Sequence, residues 1–322
     1  MALHVKLERD WTDKSIYHEE EKSTMANITS TQLSNSIATV VAAEALGYLK
    51  ANIVMASLVA RDWDDEIAKY GQTVDIPFSG ALSVNDKAEG STVTLQQPSD
   101  TKASVTLNRH KEVSFLIEDY GRALARPDYL ARYMEDGMMV LGEQIDSDLA
   151  ALYSGFSQSI DATAGLAEDD FREARRLLNA GKAPLGKRFA VLHEDAEYEL
   201  LGIEKATNRD YVEALGSAAA NAFTGRFMGF DIFMDQKIAV VSSECKNIFF
   251  QRNAMVLASR PLPPAPANAG VTQVVMSEDG IGLRVTISYS AAYLGVQTTI
   301  DVLYGVAELR DNHGVVMRTT EI

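Results

Sequence analysis

The sequence predicts an α+β fold in which one long helix runs between two groups of strands. Three observations carry that expectation. Apolar residues recur at helical spacing from Pro127 to Tyr153. Strand-like alternation appears on both sides of that run, within 73–117 and within 283–317. Between them, residues 167–258 mix short helical and short extended patterns.

The elements follow in chain order. Residues 1–24 are dense in charge (Lys6, Glu8, Arg9, Asp10, Glu19, Glu20, Glu21) and lack the apolar stretch of a signal peptide. Met25 opens a new pattern and is expected to be the true start, with an upstream extension before it. The alternative is a flexible arm that orders on assembly. Residues 31–58 read as helix, because Ile37, Val40, Val41, Ala45, Tyr48 and Leu49 share one face behind Ser and Thr cap candidates. Leu58-Val59-Ala60-Arg61-Asp62-Trp63 closes that segment.

Gly71 begins a different regime. Thr73–Phe78, Thr92–Leu95, Ala103–Leu107 and Glu112–Ile117 alternate like strands. Ser79–Ser91 is a polar projection with little to pack against itself, and such a hairpin gains by lying on something else.

Pro127 suits a first helical position and Asp128 the first turn. Leu130, Met134, Met138, Leu141, Ile145, Leu149 and Leu152 then form one apolar stripe. The helix should span roughly 40 Å. Arg132, Glu135, Asp136, Glu143, Asp146 and Asp148 are expected on its charged face. Gly137 and Gly142 interrupt the interior, each costing on the order of 1 kcal/mol against Ala. They mark either close packing or a hinge.

In the mixed block, Glu168-Asp169-Asp170 precede a helix that stops near Gly181. Arg188–Leu192 reads as strand, Glu194–Leu201 as helix, and Phe230–Met234 and Ile248–Phe250 as strands. Residues 204–227 read as a mobile excursion. Pro261–Pro266 is a stiff extended linker. In the tail, Leu283–Tyr289 and Thr298–Tyr304 read as strands, and Val306–Leu309 and Val315–Met317 as two short additional ones.

Composition narrows the functional classes. The 322-residue chain is 46% hydrophobic, enough for a real core, and carries a formal net charge of -15. That balance opposes tight binding of nucleic-acid phosphates. The one cysteine, Cys245, rules out an intrachain disulfide. It reads as a structural thiol, since no activating His lies near it in sequence. No apolar run is long enough for a transmembrane helix.

The search for chemistry returns little. His193-Glu194 begins like a zinc-protease helix, but position 197 is Glu. Gly186-Lys187-Arg188 is not a phosphate loop, and no Gly-x-Ser-x-Gly elbow is present. Asp62, Asp64, Asp65 and Glu66 lack the glycine of a full calcium loop and read as a solvated face. No catalytic residue, cofactor or metal is therefore expected. A layout without a catalytic constellation suits a subunit that tiles with copies of itself.

Several local stretches, in this order, resemble the major capsid protein of tailed bacteriophages, the Hong Kong 97 capsid fold family. Leu58-Val59-Ala60-Arg61-Asp62 followed by Gly71-Gln72-Thr73-Val74-Asp75-Ile76-Pro77 is similar to an arm running into an extended loop. Arg188 to Ala196 resembles the family's central strand-to-helix step. Gly229-Phe230-Asp231-Ile232 and Asp301-Val302-Leu303-Tyr304-Gly305-Val306 are similar too.

The resemblance implies an organisation and a role. Residues 1–25 would be a flexible or upstream extension, 26–70 an N-arm, and 71–120 the extended loop with peripheral strands. Residues 121–159 would hold the spine helix of the peripheral domain, 160–262 the axial domain, and 263–322 the peripheral return strands. The loop tip, with Asn85, Asp86, Lys87 and Glu89, would contact neighbouring subunits. Gly137 and Gly142 would be the spine-helix hinge. Copies would form the hexamers and pentamers of an icosahedral phage head around double-stranded DNA, touched non-specifically. A separate scaffolding protein and a portal are implied, and a decoration protein is compatible. No membrane partner is implied. Assembly would occur in the host cytoplasm and the product would be the virion. Lys87 is placed like a cross-linking lysine of some members, but no matching asparagine or activating acid is identifiable, so it reads as an ordinary exposed lysine. An encapsulin shell protein, or a soluble α/β enzyme with a dispersed acid site at Asp62, Asp64 and Glu66, are the alternatives.

Overall fold

The computed structural model describes residues 53–61, 73–78, 82–124, 129–203, 223–266, 269–278 and 281–322. The upstream extension, most of the arm, the acidic cluster Asp62–Glu66 and residues 204–222 of the expected excursion lie outside these.

A five-stranded antiparallel sheet contains β3 (Arg109–Glu118), β10 (Met255–Arg260), β11 (Thr272–Glu278), β12 (Ile281–Ser290) and β13 (Gly295–Glu308). Strand β13 organises it. Its first part pairs with β12 and β3, and Leu303–Glu308 pairs with β10. The spine helix, α3 (Tyr129–Ala150), packs on this sheet. Met134, Met138, Leu141, Ile145 and Leu149 share a buried cluster with Leu283, Val285, Ile300, Val302 and Tyr304. The apolar stripe thus finds the face for which its spacing prepares it.

A seven-stranded sheet contains β4 (Ser159–Asp161), β5 (Arg188–Leu192), β6 (Phe223–Phe227), β7 (Phe230–Met234), β8 (Val240–Val241), β9 (Glu244–Gln251) and β14 (Gly314–Thr320). Its order is β4-β14-β9-β5-β7-β6, with β8 on the start of β9. Helices α4 (Glu168–Ala180) and α5 (Glu194–Leu201) bury Phe171, Ala174, Leu178, Ala196 and Leu200 with one face of it. Phe249 joins that cluster, while Ile248 and Phe250 join the spine-helix cluster. The period-two alternation of β9 therefore buries both its faces. Phe171 and Phe230 meet Phe249 edge to face, with centroids 5.3 and 5.2 Å away.

Several expectations are corrected. Helix α3 proper ends at Ala150, and its described residues, Tyr129–Ala150, span roughly 33 Å, while Pro127 and Asp128 lie outside the described residues. The chain then tightens into a 3-10 turn, Ala151–Gly155, which carries Leu152. Glu168–Asp170 form the first turn of α4 instead of preceding it, where carboxylates complement the helix dipole. Thr92–Leu95 forms no strand. Its side chains are exposed, and among the described residues no partner strand lies beside it. Residues 223–227, read as excursion, form β6, with a bulge at Phe223/Gly225. Val306–Glu308 continues β13 through Gly305 instead of forming a separate strand. A Cβ on Gly305 would lie 2.2 Å from the Thr106 carbonyl oxygen, so this glycine serves close backbone approach within a strand and not a break. Strand β14, within the stretch assigned to peripheral return strands, pairs with β9 and β4 in the seven-stranded sheet. Strand β10, within the stretch assigned to the axial block, pairs with β13 in the five-stranded sheet.

Candidate assembly surface

Strands β1 (Thr73–Phe78) and β2 (Thr101–Thr106) pair antiparallel from Thr73↔Thr106 to Phe78↔Thr101. This ribbon is anchored. Ile76, Val105 and Leu107 share a buried cluster with Ala60, Val256, Ala258 and Leu309. Lys102 and Ser104 both hydrogen-bond to the Asp75 carboxylate, which these contacts hold below its ordinary pKa. The Arg310 guanidinium lies over the Phe78 ring, 4.8 Å from its centroid.

Beyond the ribbon the chain leaves the body of the subunit. Residues 82–100 are all exposed. The Gln96 side chain links the two limbs by bonding the Ser83 backbone. The tip is a turn in which Ser91 N–H and Oγ both donate to the Ala88 carbonyl, with Gly90 at φ +79. Few residues but glycine adopt that angle readily. Asn85, Asp86, Lys87 and Glu89 lie together along this loop and are exposed.

The loop is not purely polar, as its sequence suggested. Val84 is 98% exposed and Leu95 90%, and Leu82 and Val93 are 69% and 63% exposed. The signal was present in the alternation of residues 92–95, which marks apolar side chains but cannot say whether their partner lies in the same chain.

The joint between arm and body was not foreseen. Asp146, expected on the charged face of α3, is only 2% exposed. Its carboxylate accepts the backbone N–H of Val54 at 2.7 Å and of Ala56 at 3.1 Å, at the start of the short helix α1 (Met55–Leu58). Burial raises its pKa to about 7, and the Asp235 carboxylate adds to the rise against the lowering effect of those N–H groups. After α1, Ala60 bridges to β10, with Ala60 N–H donating to Met255 O and Leu257 N–H to Ala60 O, both at 3.1 Å. Residues 54–60 are thus clamped between α3 and the five-stranded sheet.

Asp148, also placed on the charged face, is half-buried. It accepts from Tyr304 Oη at 2.6 Å and pairs with Arg109 at 2.5 Å. Burial, then the Asp148 carboxylate, pushes the Tyr304 phenol far above its ordinary pKa. Glu143 pairs with Lys237 at 2.9 Å. Only Glu135 and Asp136 of the described acidic residues on α3 are fully exposed. Gly137 and Gly142 are buried within an unbroken helix, and a Cβ on Gly137 would meet Val113 Cγ1 at 3.2 Å.

One cluster joins residues distant in sequence. The Asp195 carboxylate lies 3.1 Å from His193 Nδ1 and 3.8 Å from Cys245 Sγ. Burial, then the carboxylates of Asp195 and Glu321, pushes the thiol up to about 11. A histidine therefore does lie near Cys245 in space, but the thiol is poorly suited to act as a nucleophile.

No protein-family model matches the chain, and no curated protein matches it in sequence. Solved structures do match in fold. A structure from Mycobacterium phage Che8 superposes with a TM-score of 0.60 at 20% identity, covering 82% of this chain and 90% of the other. The capsid structure of cyanophage P-SCSP1u gives 0.58 at 14% identity, over 79% and 85%. The asymmetric unit of the bacteriophage PhiM1 mature capsid gives 0.54 at 11% identity, over 80% and 84%. The chain has the fold of these phage capsid structures.

Proposed function

We propose that this chain is the major capsid protein of a tailed bacteriophage. Copies assemble as hexamers and pentamers into an icosahedral head that encloses double-stranded DNA. The observation that carries this reading is the loop 82–100, an anchored projection with bare apolar side chains on a fold shared with phage capsids.

Ordering such a loop costs on the order of 1–2 kcal/mol per residue. Within the described residues little returns that cost. A neighbouring copy does, since burying one Val or Leu contributes about 1.5–3 kcal/mol. Heterologous contacts of this kind close into rings. Asn85, Asp86, Lys87 and Glu89 then form the polar rim of the contact, and the arm, residues 26–70, extends it from the clamp at Val54–Ala60.

The net charge of -15 keeps free subunits apart and limits contact with packaged DNA to weak, non-specific encounters. A separate scaffolding protein and a portal complete assembly in the host cytoplasm, and the protein resides in the virion. No catalysis is part of this role.

The test is expression of the full chain alone and with the scaffolding protein of its phage, followed by gel filtration and negative-stain electron microscopy. Closed shells or capsomer rings are expected, and particles from infected cells should hold nuclease-resistant DNA. A monomer or dimer that stays so with scaffolding protein present contradicts the proposal. Shells filled with a protein cargo in place of a genome contradict its viral part.

A further inference from the structure

Strand β9 begins beside the start of helix α5, and three potential metal ligands of different chemistry meet there. His193 Nδ1, an Asp195 carboxylate oxygen and Cys245 Sγ all lie within 4.8 Å of one another. The two printed edges are 3.1 Å for nitrogen to oxygen and 3.8 Å for sulfur to oxygen. A tetrahedral zinc ion with bonds of about 2.0–2.3 Å sets its ligand atoms roughly 3.3–3.7 Å apart. The nitrogen–oxygen and sulfur–oxygen edges lie within a few tenths of an ångström of such a tetrahedron.

The surroundings hold these ligands in place. Cys245 and His193 are buried and Asp195 is half-buried. Asn247 Oδ1 accepts the His193 backbone N–H at 2.7 Å, and Asn247 Nδ2 donates to Thr319 Oγ1 at 2.9 Å. Thr319 is paired with Cys245 across β9 and β14. His193 Nδ1 also accepts from the Asp195 N–H, but at 3.4 Å. That is longer than an ordinary N–H···O or N–H···N contact, so the nitrogen lone pair is weakly used.

We infer that His193, Asp195 and Cys245 bind a zinc ion that staples the start of helix α5 to strand β9. The thiolate and carboxylate together balance the two positive charges, and the imidazole stays neutral. A mixed nitrogen, oxygen and sulfur set favours zinc over calcium or magnesium, which take oxygen ligands. A water molecule would take the fourth position. The ion would tie β9, the strand shared between both main hydrophobic clusters, to the helix layer.

The test uses the purified full-length protein, stripped with a chelating resin and titrated with cobalt(II). The expected result is a thiolate-to-cobalt charge-transfer band that saturates at one ion per subunit and is displaced by zinc. Zinc should also raise Tm of the stripped protein. C245S should abolish the band, and D195N should weaken it or remove it. No band and no zinc-dependent rise in Tm in the wild-type protein overturn the inference, whether or not the variants fold. A zinc-dependent rise in Tm that keeps its full size in a folded C245S protein overturns it too, because the ion would then sit elsewhere.

Discussion

Asp146 decides the behaviour of the arm joint more than any other single side chain. It is buried, it holds two backbone N–H groups across 92 and 90 residues of sequence, and its pKa is about 7. The folded value lies above the ordinary 3.8, so an unfolded chain gives up this proton first. Its contribution to stability is therefore fully present below about pH 4 and is lost as pH rises to about 7. The span corresponds to roughly 4 kcal/mol. Urea unfolding of dispersed subunits from about pH 5 to about pH 8 should lose stability along that course. D146N should make the dependence shallower, with a remainder from Asp235, whose pKa burial also raises. An unchanged slope in D146N would assign the dependence elsewhere. D146A leaves two buried donors without their acceptor and should cost about 2–5 kcal/mol in the same assay. Sequence reasoning missed this residue for a physical reason. Helical periodicity assigns a face, but it cannot say which faces a second layer of the same chain will cover. The His193, Asp195 and Cys245 cluster was hidden likewise, since 50 residues separate Asp195 from Cys245.

At the scale of elements, legibility followed the source of each pattern. Arg188–Leu192, Glu194–Leu201 and Phe230–Met234 were read with the boundaries they have, because a local period and nearby turn residues define them. Strand β10 was not read, since Met255–Ser259 is buried throughout and shows no alternation. Gly305 misled because a glycine in a strand signals either a break or a close neighbour, and only the position of β2 decides. G305A should force Thr106 away from β13, lower Tm by several degrees and reduce assembly. An unaltered melting curve would show that β2 tolerates displacement. The spine helix carries a second prediction. Alanine at both Gly137 and Gly142 gains about 1 kcal/mol of helix propensity each, partly offset at 137 by the 3.2 Å approach to Val113. If these glycines permit bending, the double variant should change shell diameter or expansion, read by electron microscopy. Unchanged particles would leave close packing as their role.

The whole molecule combines a well-buried body with a projection that buries nothing of its own. Two sheets and helices α1, α3, α4 and α5 close around shared clusters, while residues 82–100 remain exposed from end to end. The sequence made this division visible at the level of regions, through a polar stretch between two alternating ones. The apolar side chains on the loop were harder to interpret, because their partner lies in no part of the described chain. Under the proposed function the subunit completes its packing on its neighbours. Deleting residues 82–100 should therefore leave Tm of the isolated subunit within a few degrees of wild type and remove closed shells. The most direct measurement is a cryo-electron microscopy reconstruction of assembled particles at side-chain resolution. Leu82, Val84, Val93 and Leu95 should be buried against an adjacent subunit, with Asn85, Asp86, Lys87 and Glu89 at the margin of that contact. Closed shells in which these four apolar side chains still face solvent would contradict it.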